Sequence, residues 1–155
     1  MKTFYVLCGC PASGKSTYIK NIFENSQKEI AVVSRDEIRF SLLEDGEDYF
    51  NKEEEVLDLF YERISENLAN PYVDIVVADA THLNEKSRAR LFSNIEIPEG
   101  CRVCAIAFET SLDECLRRNE KREGRAKVPR GVLRRMYYSY TRPTTTEGFD
   151  AIYIL

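Results

Sequence analysis

One segment, residues 9–16, reads GCPASGKS and fits the pattern G-x-x-x-x-G-K-[ST]. The glycines of such a loop let several backbone N–H groups converge on phosphate oxygens, and the helix that follows adds partial positive charge at its N-terminus. Lys15 is placed to reach the β- and γ-phosphates, and the hydroxyl of Ser16 is placed to bind Mg²⁺. The pattern predicts a nucleoside triphosphate site rather than a glycine-rich turn with a solvated lysine. Its expected contacts are Gly9, Ser13, Gly14, Lys15, Ser16 and Thr17.

Charged residues follow two further apolar runs that we predict to be strands. Asp36 comes just after the second run, at the sheet edge where ligands of open α/β folds bind, and could accept the proton of an attacking hydroxyl. Arg39 shares its helix face and could hold an anionic substrate group. Asp79 ends the third run and could bind Mg²⁺ through water. The plain alternatives are an N-cap for Asp36, a surface cation for Arg39 and a strand-end cap for Asp79.

Basic residues concentrate late in the chain. Residues 113–142 carry ten basic and four acidic residues, although the whole chain has a net charge of −4. A lid that closes arginines on triphosphate oxygens has this composition, because phosphoryl transfer requires charge neutralisation. A solvated basic face is the alternative for most of these side chains. We expect the lid at about residues 118–130, with Arg118 and Arg122, which share an i, i+4 face, as its phosphate contacts.

Missing motifs narrow the class of nucleotide-binding protein. The N-K-x-D signature of regulatory GTPases is incomplete at residues 51–54, and D-x-x-G does not occur. A dinucleotide loop would need glycine where Pro11 stands. Motor and AAA-type ATPases usually follow the strand-end acidic residue with a glutamate that activates water, whereas Asp79 is followed by Ala80. Transfer of the phosphoryl group to an acceptor other than water is therefore favoured.

The elements that must position these residues alternate between apolar runs and helix-like stretches, which is typical of βαβ units. Strands are predicted at residues 4–8, 30–33, 73–78, 103–108 and 151–155. Helices are predicted to begin near residues 15 and 34 and to cover residues 52–68, 84–95, 111–122 and 129–138. We expect a single domain over residues 1–155, with a three-layer α/β fold of the P-loop kinase type, a mostly parallel five-stranded sheet and a basic lid.

Composition predicts the class of protein and the cellular compartment. The chain has 155 residues, 43% hydrophobic and 31% charged, as in a globular protein of one domain. No apolar run approaches the roughly 18 residues of a membrane span, and no signal peptide is visible. Five cysteines without such a signal fit free thiols in a reducing compartment. We expect a cytoplasmic protein with no membrane partner.

Cys101 and Cys104 form a C-x-x-C pair, a spacing found in zinc and redox sites. A zinc site needs a second pair of ligands, and the chain has a single histidine, His82. Cys104 also lies in an apolar run, where cysteine behaves as a small hydrophobe. We therefore expect no structural zinc.

Taken in order, these motifs resemble those of the P-loop polynucleotide 5′-hydroxyl kinase family, its phage members in particular. The resemblance extends over nearly the whole chain. The segments that carry it are residues 9–17, 34–39, 79–82, 117–122 and 128–129. It implies that Asp36 is the general base, that Arg39 grips a phosphate of the acceptor strand, and that Arg118 and Arg122 contact ATP. Two departures are a histidine at position 82, where the family has asparagine, and a lid one residue longer.

The sequence thus predicts an ATP- and Mg²⁺-dependent kinase whose favoured acceptor is the 5′-OH of RNA or DNA, in a setting of nucleic-acid repair. The predicted catalytic residues are Lys15, Asp36, Arg39 and Arg122, and the predicted metal ligands are Ser16 and Asp79. A kinase of a small molecule (a sugar, a nucleoside or an antibiotic) is the alternative, and a non-enzymatic nucleotide-binding module is a third hypothesis. The sequence leaves the oligomeric state open.

Overall fold

The strands form one sheet in the computed structural model, which describes residues 1–155. Their bounds are β1 Thr3–Cys8, β2 Ile30–Ser34, β3 Ile75–Asp79, β4 Arg102–Ala107 and β5 Ala151–Ile154. The spatial order is β2-β3-β1-β4-β5, and every pairing is parallel. The sheet is therefore entirely parallel, where the sequence predicted a mostly parallel one. Continuous apolar runs in β1, β3 and β4 account for this arrangement, because a parallel sheet is covered on both faces.

The helices follow the predicted pattern with small differences at their ends. They are α1 Lys15–Phe23, α2 Arg35–Leu42, α3 Glu53–Ala69, α4 Glu85–Ser93, α5 Leu112–Glu120 and α6 Arg130–Ser139, with 3₁₀ turns at Gly124–Ala126 and Thr145–Glu147. Side chains of Ser34, Asn84 and Ser111 cap the starts of α2, α4 and α5. The third strand starts at Ile75 rather than at residue 73, because the N–H of Val73 donates to the turn that closes α3. No helix combines the length and apolar character that a membrane crossing requires.

Helices cover both faces of the sheet, which gives three layers. On one face, α1 packs its aromatic residues against Leu7, Val77 and Ile106. On the other face, α2, α3 and α4 cover the alternate strand residues, with Phe60 and Ile64 of α3 fully buried among them. A third apolar cluster joins α5 and α6 to Cys10, just after β1. The three-layer α/β fold predicted from the sequence is confirmed.

A buried ion pair ties the segment before β5 to α4. The side chain of Arg88 is fully buried, and its Nε donates to Glu147 Oε1 over 2.6 Å. Arg88 also donates to the backbone oxygen of His82 and to Thr141 Oγ1. Burial raises the pKa of Glu147, but the hydrogen bonds from Arg88 and from the Thr144 backbone outweigh it and hold the pKa below its usual value. This pair fixes the approach of the last strand to the sheet.

Replacing Glu147 by glutamine leaves the Arg88 cation buried without its counter-charge. We expect Glu147→Gln to lower the free energy of unfolding by about 3 kcal/mol, measured by urea denaturation. Glu120→Gln is the matched control, because Glu120 forms exposed pairs with Lys127 and Arg130 and should cost less than about 1 kcal/mol. Equal losses in the two variants would show that the buried pair has no special role.

Candidate functional site

The loop between β1 and α1 presents unpaired backbone donors. Ala12 (φ 65°) and Gly14 (φ 110°) adopt left-handed conformations, which turn the chain into the first turn of α1. No side chain caps this helix, and the N–H groups of residues 14–17 have no acceptor within the protein. A Cβ on Gly9 would lie 2.8 Å from Ser13 Oγ and 3.0 Å from Phe108 Cβ, so only glycine fits there. The loop is a preformed cradle for an anion.

Lys15 lies folded over this cradle. Its Nζ donates to the backbone oxygens of Gly9 and Cys10 over 2.7 and 2.8 Å. Burial and, to a smaller extent, the charge of Arg122 lower the pKa of Lys15 to about 8 against the opposing effect of Asp79. The ammonium therefore has weak charge compensation in the free protein, and a bound phosphate would supply it.

Two carboxylates lie at the same edge of the sheet as the loop. Ser34 at the end of β2 is paired in register with Asp79 at the end of β3, and Asp36 follows two residues later in α2. Burial raises the pKa of Asp79, Lys15 opposes this, and Asp36 and Glu37 raise it further. Lys15 and Asp36 are thus each close enough to Asp79 for their charges to act on its carboxyl group.

Ser16 and Asp79 are the residues that could hold Mg²⁺. Ser16 is exposed in the first turn of α1, and Asp79 is half-buried at the end of the neighbouring strand. A hydroxyl and a carboxylate suit a hard cation that keeps most of its ligands as water and phosphate oxygens. No group of three or more His, Cys, Asp or Glu side chains forms a metal site elsewhere in the chain.

Arg39 is not the free cation that the sequence suggested. Only 2% of the residue is exposed, and its Nη2 donates to both carboxylate oxygens of Glu53 over 2.5 and 2.7 Å. Its Nη1 donates to Asp36 Oδ1 over 2.5 Å and to the Tyr49 hydroxyl over 2.6 Å. Burial raises the pKa of Glu53, but Arg39 and Arg35 outweigh it and hold the pKa below its usual value.

Sequence reasoning missed Glu53 and Tyr49. Glu53 reads as one of three acidic residues that begin α3, and Tyr49 lies in the loop between α2 and α3 without a motif around it. Nothing local connects either residue to Arg39, which is ten or more positions earlier in the chain. One signal could have predicted an acidic partner for Arg39: this arginine lies on a helix face that packs against the core. A buried arginine needs a counter-charge, although the sequence does not say which residue supplies it.

Arg118 lies in the last turn of α5, and Arg122 follows two residues after that helix ends. Arg118 Nη1 is 3.5 Å from the backbone oxygen of Ala12 and 3.3 Å from the Cβ position of Gly14. Arg122 donates to the backbone oxygen of Ala126 over 3.3 Å, and its charge lowers the pKa of Lys15. Arg118 therefore lies against the cradle, whereas Arg122 acts on Lys15 through its charge, and the contact of either residue with ATP stays a prediction.

His82 and four of the five cysteines lie outside the phosphate loop, and Cys10 contributes its backbone oxygen to it. His82 is buried, and its Nδ1 is 2.7 Å from the backbone oxygen of Leu7. Burial lowers the pKa of His82 to about 4, so the neutral ring donates a hydrogen bond to that oxygen and packs near Phe60. Cys104 is buried in β4, and all five cysteines are free thiols.

A protein-family comparison identifies the domain type. The family model AAA_33, described as an AAA domain, matches residues 5–143. A comparison with curated protein sequences gave no match.

Solved structures with a similar fold include two kinases and a chain of an RNA repair complex. A chain of the Pnkp1/Rnl/Hen1 RNA repair complex is 20% identical with a TM-score of 0.71, over 89% of this chain and 43% of that one. A fungal RNA kinase is 14% identical with a TM-score of 0.63, over 99% of this chain and 74% of that one. A sugar kinase from Janibacter sp. HTCC2649 is 16% identical with a TM-score of 0.67, over 100% and 85%. This chain therefore spans less than half of the RNA-repair protein, and the likenesses concern the fold.

The depressed pKa of Lys15 predicts proton uptake when ATP binds. Above pH 8 the free lysine loses its proton, whereas bound phosphates favour the charged form. We expect the ATP association constant to fall by about tenfold per pH unit above pH 8. Calorimetric titration at pH 8.5, in two buffers of different ionisation enthalpy, measures the uptake.

Two variants control this measurement. Lys15→Gln should abolish the proton uptake, whereas Lys20→Gln, on the exposed surface of α1, should retain it. Binding by the unmodified protein without proton uptake would contradict the shifted pKa.

Proposed function

The chain belongs to the AAA_33 family of P-loop domains, and from that premise we propose that it is an ATP-dependent kinase. The acceptor we propose is the 5′-OH end of RNA or DNA. The observation that carries the proposal is the position of Asp36. Its side chain is 60% exposed and lies at the sheet edge that also holds the phosphate cradle and Lys15. A cradle alone would only bind a nucleotide, whereas a cradle beside an accessible base can transfer a phosphoryl group.

The nucleotide is the phosphoryl donor and therefore a substrate of the proposed reaction. The free N–H groups of residues 14–17 and the ammonium of Lys15 bind its phosphates. Arg118 and Arg122 neutralise the charge that moves with the phosphoryl group. Asp36 accepts the proton of the acceptor hydroxyl as that oxygen attacks the γ-phosphorus. Mg²⁺, when held by Ser16 and Asp79, would supply further charge neutralisation between the phosphates.

Several observations support a nucleic-acid acceptor. The structures with a similar fold include an RNA kinase and a chain of an RNA repair complex. Residues 113–142 are strongly basic on an otherwise acidic chain, and one of them, Arg125, contacts Asp45 and the backbone oxygen of Glu44 beyond the end of α2. Tyr49 hydrogen-bonds Asp36, and the exposed ring of Phe50 beside it could stack a base. Arg39 is the proposed contact for a phosphate of the acceptor strand.

The remaining parts of the proposal concern the domain and its lid, the biological setting and the location in the cell. We propose that residues 1–155 are a single kinase domain whose lid covers about residues 118–130. The resemblance to phage kinases supports nucleic-acid repair as the setting, and the free thiols support a cytoplasmic location.

Phosphorylation of a small molecule is the second candidate. The sugar kinase with a similar fold is matched over the whole of this chain, and the buried pairing of Arg39 with Glu53 leaves that cation less available to a phosphate of a strand. Both candidates use the same donor side and differ only in the acceptor.

An acceptor screen separates the two candidates. The protein is incubated with ATP labelled at the γ-phosphate and with RNA or DNA oligonucleotides that carry a 5′-OH, in parallel with sugars, nucleosides and aminoglycoside antibiotics. We expect label on the oligonucleotides and none on those that already carry a 5′-phosphate. Label on a small molecule alone would replace the nucleic-acid proposal with the second candidate.

Asp36→Asn tests the general base with little change of shape. We expect turnover to fall by roughly 10²–10⁴-fold, because the amide cannot accept a proton, while the Kd for ATP stays within about threefold. Asp58→Asn, at an exposed position of α3, is the matched control and should keep full activity. A lower melting temperature with normal turnover would mean that Asp36 is only structural.

A further inference from the structure

Tyr49 contacts the proposed general base directly. Its hydroxyl donates to Asp36 Oδ1 over 2.6 Å, and Arg39 Nη1 donates to the same oxygen over 2.5 Å. Arg39 Nη1 also donates to the Tyr49 hydroxyl over 2.6 Å, which closes a triangle of hydrogen bonds. One oxygen of the carboxylate thus has two donors, whereas Asp36 Oδ2 has none within the protein.

The hydroxyl of Tyr49 can donate a hydrogen bond at any pH in the neutral range. Burial raises its pKa well above the ordinary value for tyrosine, and the hydrogen bond to Asp36 raises it further. The phenol therefore keeps its proton throughout the neutral range. Arg39 alone would leave this carboxylate with one donor, and because the last side-chain torsion of aspartate has broad minima, the second donor narrows the orientations open to Asp36.

The ring of Tyr49 is held independently of its hydroxyl. The Arg39 guanidinium lies 4.1 Å from the ring centroid, and the rings of Phe40 and Phe50 contact Tyr49 edge-on. A phenylalanine at this position retains all three contacts and loses only the hydrogen bonds. The packing role and the orienting role can therefore be separated by one substitution.

We propose that Tyr49 is a positioning residue of the transfer reaction, which fixes Asp36 through Oδ1 so that Oδ2 faces the acceptor hydroxyl. This inference rests on the proposed kinase function. In the transfer step, the acceptor oxygen forms a bond to the γ-phosphorus and its proton moves to Asp36 Oδ2. The bond between the γ-phosphorus and the bridging oxygen breaks, and ADP leaves with that electron pair.

Tyr49→Phe is the test, with Tyr72→Phe as the matched control. Tyr72 is 83% exposed and its hydroxyl makes no hydrogen bond within the protein. For Tyr49→Phe we expect kcat to fall about tenfold while the KM for ATP and the melting temperature stay at the values of the control. An unchanged kcat, or a loss of kcat explained by a lower melting temperature, would overturn the proposal.

A second measurement does not need turnover. Carbon NMR of ¹³Cζ-labelled tyrosine follows the ionisation of Tyr49 in the unmodified protein and in Asp36→Asn. We expect the pKa of Tyr49 to fall in Asp36→Asn, because the phenol loses its charged acceptor. Identical titrations in the two proteins would show that the hydrogen bond does not form in solution and would overturn the proposal.

The outcomes distinguish this inference from the proposed function. Full activity in Asp36→Asn, or no transfer to any acceptor, refutes the kinase proposal and the role of Tyr49 with it. Loss of activity in Asp36→Asn together with normal activity in Tyr49→Phe refutes the role of Tyr49 alone.

Discussion

The unpaired backbone donors at the start of α1 are the constraint on which the rest of the site depends. The N–H groups of residues 14–17 have no acceptor in the protein, and such groups are costly unless they face water or an anion. Gly14 holds the left-handed turn that exposes them, and Gly9 lets Phe108 and Ser13 approach closely behind the loop. Because these donors are already oriented, a phosphate that binds them requires little reorganisation.

The parallel sheet relates this cradle to the chemistry beside it. Parallel strands bring the residues that follow β1, β2 and β3 to one edge. The loop that follows β1 carries Lys15, and the carboxylates of Asp36 and Asp79 follow or end the neighbouring strands. Charges of both signs act on Lys15, because Asp79 raises its pKa and Arg122 lowers it.

For Arg39, the local sequence pattern predicted its neighbour on the same helix but not its burial or its ion-pair partner. Its spacing from Asp36 correctly placed both on one helix face, and the two side chains do form a hydrogen bond. Burial of the guanidinium was not predicted, because its counter-charge, Glu53, arrives from another helix. The contact of Arg39 with an acceptor phosphate stays a prediction, and the carboxylate of Glu53 must be considered with it.

The sequence by itself determined the strand–loop–helix unit around Lys15, the apolar runs of the five strands and the order of the helices, because each depends on neighbouring residues and their periodicity. Tertiary structure decided which side chains surround Asp36. It also decided the hydrogen bond between His82 and the backbone of Leu7 and the contact of Arg118 with the phosphate loop. Tyr49 reaches Asp36 only because the loop between α2 and α3 folds back over α2. Such contacts join residues far apart in the chain, and their free energy depends on burial and partners that no local pattern records.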